Sequence, residues 1–218
     1  MCGRYALHAS EQEILTTFHA KGPLVMRPRY NIAPTQTIPV IMGMPQQVEF
    51  CRWGFIASWV KPQGEMPLGH IKARLDSLLE KPTFKEAALK RRCLIPASGY
   101  FEWRKFGAKK QPYYIFFKQQ PLVAFAGIWS TWQSPLGEIK TCAIITHQAK
   151  GELQIIHERM PLVIQQQHFE NWLANDYDFT DLVKVLVQSQ PEDIGIKPVT
   201  SSMNHPKFEG PECIRALS

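Results

Sequence analysis

The sequence predicts an α+β fold, a single domain over residues 1–218 with a largely antiparallel, curved, barrel-like β-sheet core and short peripheral helices. Five strand-like runs follow one another between Cys93 and Thr146, which favours antiparallel neighbours over an alternating βαβ order. The helical patterns are short and sit toward the ends of the chain. The 218 residues also include 17 Pro and 13 Gly, too many breakers for a long helical bundle. With 44% hydrophobic and 20% charged residues the chain can bury a core, which excludes intrinsic disorder.

Each element has a local reason. Ser10 and Glu13 form a capping box ahead of Ile14, Leu15 and Phe18, which predicts a helix over about 11–20 and leaves the first nine residues outside it. Thr37 to Met42 and Gln47 to Trp53 are rich in β-branched and aromatic residues around a turn at 43–46, and predict a hairpin. Ala73 to Leu79 suits a helical turn or two, and Thr83 with Glu86 reads as a second capping box before Ala87, Ala88 and Leu89. Strands follow over Cys93–Ile95, Tyr100–Arg104, Pro112–Lys118, Leu122–Ser130 and Lys140–Thr146. Helical spacing returns at Gly151–Ile156, His168–Ala174 and Thr180–Val187, with a last strand at Gly195–Val199.

Charge and cysteine usage narrow the function classes. Lys+Arg 25 against Asp+Glu 19 leaves a formal charge of +6, which favours a polyanionic partner. The longest nearly apolar stretch, Pro121 to Trp129, falls far short of the roughly 20 residues that span a bilayer, so no membrane partner is expected. The start MCGRYALHASEQE has no apolar signal region, and the five Cys show no CxxC pair and leave an odd thiol. A reducing cytoplasm is the expected compartment, with no disulfide framework and no zinc knuckle.

Cys2 is the most informative residue. It is small enough to permit removal of Met1, which makes it an N-terminal 1,2-aminothiol. Its amine and thiol have ordinary pKa values of about 7.7–8.0 and 8.5, so both nucleophiles are available near neutral pH. The amine can condense with an aldehyde to an imine, and the thiol can close a thiazolidine on the same carbon. SGYFEW sets Glu102 in an aromatic strand, on the face of Tyr100 and opposite Phe101 and Trp103. IIHERMP carries His157 between an apolar pair and charged neighbours. RYNIAPT and KARLDS place Arg, Lys and Asn beside turn residues, as phosphate contacts require. Taken singly, each of these has a commoner structural explanation: a surface glutamate, a satisfied histidine, solvated loops.

Together, MCGRYA, RYNIAPT, CRWGF, KARLDS, CLIPASGYFEW, KKQPYY and IHERMP resemble, in order and over essentially the whole length, the SOS-response-associated peptidase (SRAP) family. The resemblance implies a protein that binds single-stranded DNA and links its N-terminal cysteine to the ring-opened aldehyde of an abasic site, shielding the lesion during repair or replication. It further implies Cys2 as nucleophile, Glu102 and His157 as an acid/base pair, and Arg4 and Arg74 as phosphate contacts. Trp59 and Trp103 would belong to a DNA-facing aromatic set, with Asn31 and Thr146 lining the same cleft. Lys72 departs from the family, which usually has Asn there, so that role does not transfer; pairing with Glu102 or with a DNA phosphate is expected ahead of a Schiff-base role. No metal or organic cofactor is implied, removal of Met1 by autoproteolysis or by an aminopeptidase is a precondition, and a nucleoid-associated monomer is expected. Two other classes compete: an N-terminal-cysteine amidohydrolase, whose further loop motifs are missing, and a non-catalytic single-stranded DNA-binding module.

Overall fold

A computed structural model of the chain describes residues 3–62, 64–135, 137–174 and 176–217. In chain order the elements are β1 (Arg4–Leu7), α1 (Glu11–Thr17), β2 (Arg29–Ile32), β3 (Thr37–Met42), β4 (Gln47–Trp53), β5 (Lys72–Arg74), α2 (Pro82–Lys90) and β6 (Arg92–Ala97). They continue with β7 (Gly99–Phe106), β8 (Lys109–Phe117), β9 (Val123–Ser134), β10 (Gly137–Gln148), α3 (Leu153–Ile156), β11 (Arg159–Pro161) and β12 (Val163–Ile164). The last elements are α4 (Phe169–Leu173), α5 (Phe179–Gln188) and β13 (Ile194–Pro198), followed by two 3-10 turns.

The strands make two sheets, and one closes on itself. β10 pairs with β4, β4 with β3, β3 with β6, β6 with β9, and β9 returns to β10, a five-stranded barrel without a free edge. β5 and β11 extend β10 past the ring, and β12 extends β9. The second sheet is antiparallel, in the order β13-β8-β7-β1-β2. Among the named strands only the pairings of β10 with β4 and with β5 are parallel. This is the predicted α+β architecture, with five short helices around it.

Strand alternation splits the second sheet between two cores. Tyr5, Leu7, Tyr100 and Ile115 point into the large core shared with the barrel, where Tyr5 meets Trp53 edge-on at 5.4 Å. Ala6, Phe101 and Tyr114 point the other way and are covered by Val199, Met203 and Cys213 of the C-terminal segment. The helices seal the barrel's open ends and flanks. Phe18 after α1 stacks on Phe169 of α4 at 5.0 Å, and Phe84 of α2 meets Phe55 at 5.6 Å.

Local chemistry accounts for most boundaries. The Ser10 hydroxyl accepts the Glu13 N–H at 3.2 Å, and the Glu13 carboxylate accepts the Ser10 N–H at 2.7 Å, so the capping box forms as predicted. The hairpin at 37–53 has the predicted ends. Two expectations are corrected. Residues 72–77 form strand β5 and a 3-10 turn in place of a helix, because Ile144 to Thr146 of β10 supply a parallel partner to Lys72, Ala73 and Arg74. Helix α2 starts at Pro82 with Lys81 as N-cap and no capping side chain, so the Thr83–Glu86 box does not form; a proline whose missing N–H costs nothing at the first turn sets the start.

The strands of β1's sheet differ in legibility: the last strand, predicted at 195–199, appears as β13 at 194–198, whereas β1 and β2 were not predicted, since they carry no alternating run long enough to read. Gly54 makes the close contact that positions the 57–70 loop. Its φ is +144°, and a Cβ there would lie 2.3 Å from the Leu68 carbonyl oxygen. The main chains of Phe55 and His70 then exchange hydrogen bonds of 2.9 and 2.8 Å, which delivers the chain to β5. No helix among the described residues is long and apolar enough to cross a membrane.

Candidate active site and nucleic-acid interface

Strand β7 delivers Glu102, which is 1% exposed and stands opposite Tyr113 of β8. His157 follows the single turn of α3 as its C-cap, with extended backbone angles and its N–H bonded to the Leu153 carbonyl at 2.9 Å. Glu102 and His157, 55 residues apart in sequence, line one cavity of about 390 Å³ with Trp103, Lys105, Lys110 and Asn204. The Arg159 backbone N–H donates to His157 Nδ1 at 3.0 Å. In the neutral ring that assignment puts the proton on Nε2. Burial lowers the His157 pKa below its ordinary value, an effect the nearby Glu102 carboxylate opposes. The shift favours the uncharged ring, in which Nε2 is the donor.

A second cavity, of about 250 Å³, is cationic. Lys72, Arg74, Lys81 and Arg159 line it with His70, and among the described residues Glu158 is the only acid in its wall. Arg159 is nearly buried and rigidly held: Nη2 pairs with Asp76 Oδ1 at 2.7 Å and donates to the Thr146 carbonyl at 2.6 Å, while Nε reaches the Thr146 hydroxyl at 3.3 Å. Arg74 pairs with the other oxygen of Asp76 at 3.1 Å. Asp76 thus orients two guanidiniums at one opening, and both hold its carboxyl below the usual range even though partial burial works against them.

The other expected site residues separate into groups. Arg4 donates from Nη1 to Asn31 Oδ1 at 2.8 Å and to the Met203 carbonyl at 2.9 Å, and from Nη2 to the Asn204 carbonyl at 2.9 Å. The fully buried Asn31 amide donates to the carbonyls of Met203, His205 and Phe208. Trp103 Nε1 donates to Asn204 Oδ1 at 2.8 Å. Arg4, Asn31 and Trp103 therefore fasten the 203–208 segment against the sheet and set Asn204 in the wall of the first cavity. Trp59 is 66% exposed on the loop after β4 and belongs to neither cavity wall. Cys2 lies outside the described residues. The other four cysteines are buried and free, and no group of three His, Cys, Asp or Glu able to hold a metal occurs among the described residues.

Sequence reasoning did not single out Arg159, Asp76, Asn204, Lys105 or Lys110. Arg159 was visible as the second residue after His157 in IHERMP. Asn204 had no local signal, since its place depends on bonds to residues about 100 and 200 positions away.

The chain matches the family model described as SOS response associated peptidase (SRAP) over residues 1–206. It is 34% identical over 224 residues to the abasic site processing protein YoqW of Bacillus subtilis, covering 99% of this chain and 100% of that one. It is 30% identical to the abasic site processing protein HMCES of Gallus gallus, over 86% of this chain and 66% of that one. A crystal structure of a protein from Bacteroides thetaiotaomicron superposes with a TM-score of 0.87 at 26% identity, covering 100% of both chains.

Proposed function

This chain belongs to the SOS response associated peptidase family, and from that premise we propose that it binds single-stranded DNA at abasic sites and links Cys2, freed of Met1, to the ring-opened sugar as a thiazolidine. The observation that carries the reading is the meeting of the buried Glu102 with His157 in one cavity, on the strand that pairs with β1. Arg4 stands opposite Phe101, next to Glu102, and Cys2 is two residues upstream of Arg4. Two residues of chain span at most about 7 Å.

The chemistry balances without a cofactor. The Cys2 amine adds to the C1 aldehyde, and Glu102 carries the first amine proton to the oxygen to give a neutral carbinolamine. The carboxylate then takes the second nitrogen proton and delivers it to the departing hydroxyl, which leaves as water and yields the imine. The thiolate then adds to the imine carbon, and the nitrogen picks up the thiol's proton. One bond pair, C1–N and C1–S, replaces C1=O, with loss of one water. His157 Nε2–H donates to the sugar oxygen, steadying the charge that develops on it. The cationic cavity around Arg74 and Arg159 supports seating of an adjacent phosphate.

Intact mass before and after mixing with an abasic oligonucleotide tests the proposal. The expected product is the chain without Met1 plus the oligonucleotide less one water, and Cys2→Ala protein gives no such species. A product that survives denaturant in the Cys2→Ala protein overturns it.

A further inference from the structure

The hairpin joining β7 and β8 carries a charge pattern that the reaction at Glu102 and His157 does not use. Residues 104–111 read Arg-Lys-Phe-Gly-Ala-Lys-Lys-Gln, with cations at 104, 105, 109 and 110 and no acid. Among the described residues none of these four cations makes an ion pair. The register sets Lys105 directly opposite Lys110, and like charges placed so destabilise a hairpin unless something anionic sits over them. Both lysines are exposed.

Their direction is fixed by alternation. Trp103 faces Pro112 and Lys105 faces Lys110, so Trp103, Lys105 and Lys110 share one face of the ribbon, and all three line the cavity with Glu102 and His157. The opposite face carries Glu102 and Arg104, and the Arg104 guanidinium lies 4.7 Å from the centroid of the half-exposed Phe106 ring. The ribbon thus runs outward from the reacting groups as an indole followed by two ammoniums, the stacking and charge elements that hold a single strand.

We propose that this hairpin is an arm that holds the flanking strand on one side of the abasic site, with Lys105 and Lys110 on successive backbone phosphates. The proposal rests on the reading of the site as an abasic-DNA site, and assigns the part of the substrate that lies outside the reaction cavity.

Binding is measured by fluorescence anisotropy over a range of salt, on labelled single strands carrying tetrahydrofuran, an abasic analogue without an aldehyde. One strand has nucleotides on both sides of the analogue, one on the 5′ side only and one on the 3′ side only. For the Lys105→Gln/Lys110→Gln protein the slope of log Kd against log salt is expected to fall by about 1.4, two phosphates at about 0.7 each for a single strand. The loss appears on the two-sided strand and on one of the one-sided strands. Lys105→Arg/Lys110→Arg keeps the wild-type slope, and so does Lys184→Gln, which removes a cation on helix α5 that lines neither the reaction cavity nor the cationic cavity. An unchanged slope in the double Gln variant, an equal loss on both one-sided strands, or an equal loss in Lys184→Gln overturns the arm. Failure of the wild-type protein to bind any of the strands overturns the underlying reading of the site instead.

Discussion

His157 presents a donor because its other nitrogen is already committed: Nδ1 accepts the Arg159 N–H, and burial keeps the ring neutral. On the proposed reaction, base catalysis therefore falls to Glu102. Glu102→Gln is expected to slow adduct formation by about 10²–10⁴ in single-turnover gel assays, the usual worth of a positioned proton transfer. An unchanged rate would return Glu102 to a structural role in the sheet. The pH profile follows from the same assignment. Adduct formation should rise with pH as the α-amine deprotonates, around its ordinary value of about 7.7–8.0. His157, held below its ordinary pKa, should add no inflection above that ordinary value. An inflection there that disappears in His157→Gln would contradict the neutral-donor assignment.

At the scale of elements, the site depends on where loops are forced to run. The Gly54 contact with the Leu68 carbonyl and the Phe55–His70 bridge fix the start of β5, and β5 carries Lys72 and Arg74 to the cationic cavity. Gly54→Ala puts a methyl into a carbonyl oxygen, at a φ that L side chains avoid, and main chain cannot step aside cheaply. The expected cost is about 1–3 kcal/mol, read as a lowered midpoint in urea, together with weaker binding to abasic DNA. A variant with wild-type stability and binding would show that the loop adjusts freely. The replacement of the helical turns predicted at 73–79 by strand β5 and a 3-10 turn has the same origin. Three residues have too little intrinsic preference to resist a parallel partner in β10.

The whole molecule is a closed barrel and an open sheet sharing one large core, and that core encloses a histidine. His147, on β10, is 4% exposed; burial, with lesser help from Lys150 and Arg159, lowers its pKa from 6.5 to about 4. Below pH 6.5 the unfolded chain gains a proton there that the folded chain refuses, so stability falls as pH drops and stops falling through this group near pH 4. At 1.36 kcal/mol per pH unit the loss is about 3 kcal/mol. His147→Gln is expected to flatten that limb. Urea midpoints for both proteins at pH 7 and pH 4.5 measure it, and an equal decline in the two would assign the acid sensitivity to other groups.

The strands from β6 to β10, the 37–53 hairpin, the α1 capping box and the candidate pair Glu102 and His157 were legible in the sequence, because each rests on local alternation, local capping or a distinctive run of residues. So was the distinctive order of motifs that placed the chain in its family. Closure of the barrel was not, since it requires β10 to meet β4 in parallel across some 90 intervening residues, and no short segment encodes that pairing. The short strands β1 and β2 were equally hidden, as they take their shape from long-range partners. Tertiary structure alone put Arg4 and Asn31 onto the carbonyls of the C-terminal segment, brought Asn204 into the cavity wall and let Asp76 aim two guanidiniums at one opening. A side chain's type sets what it can bond, whereas which groups come within 3 Å of it is decided by packing between segments remote in sequence.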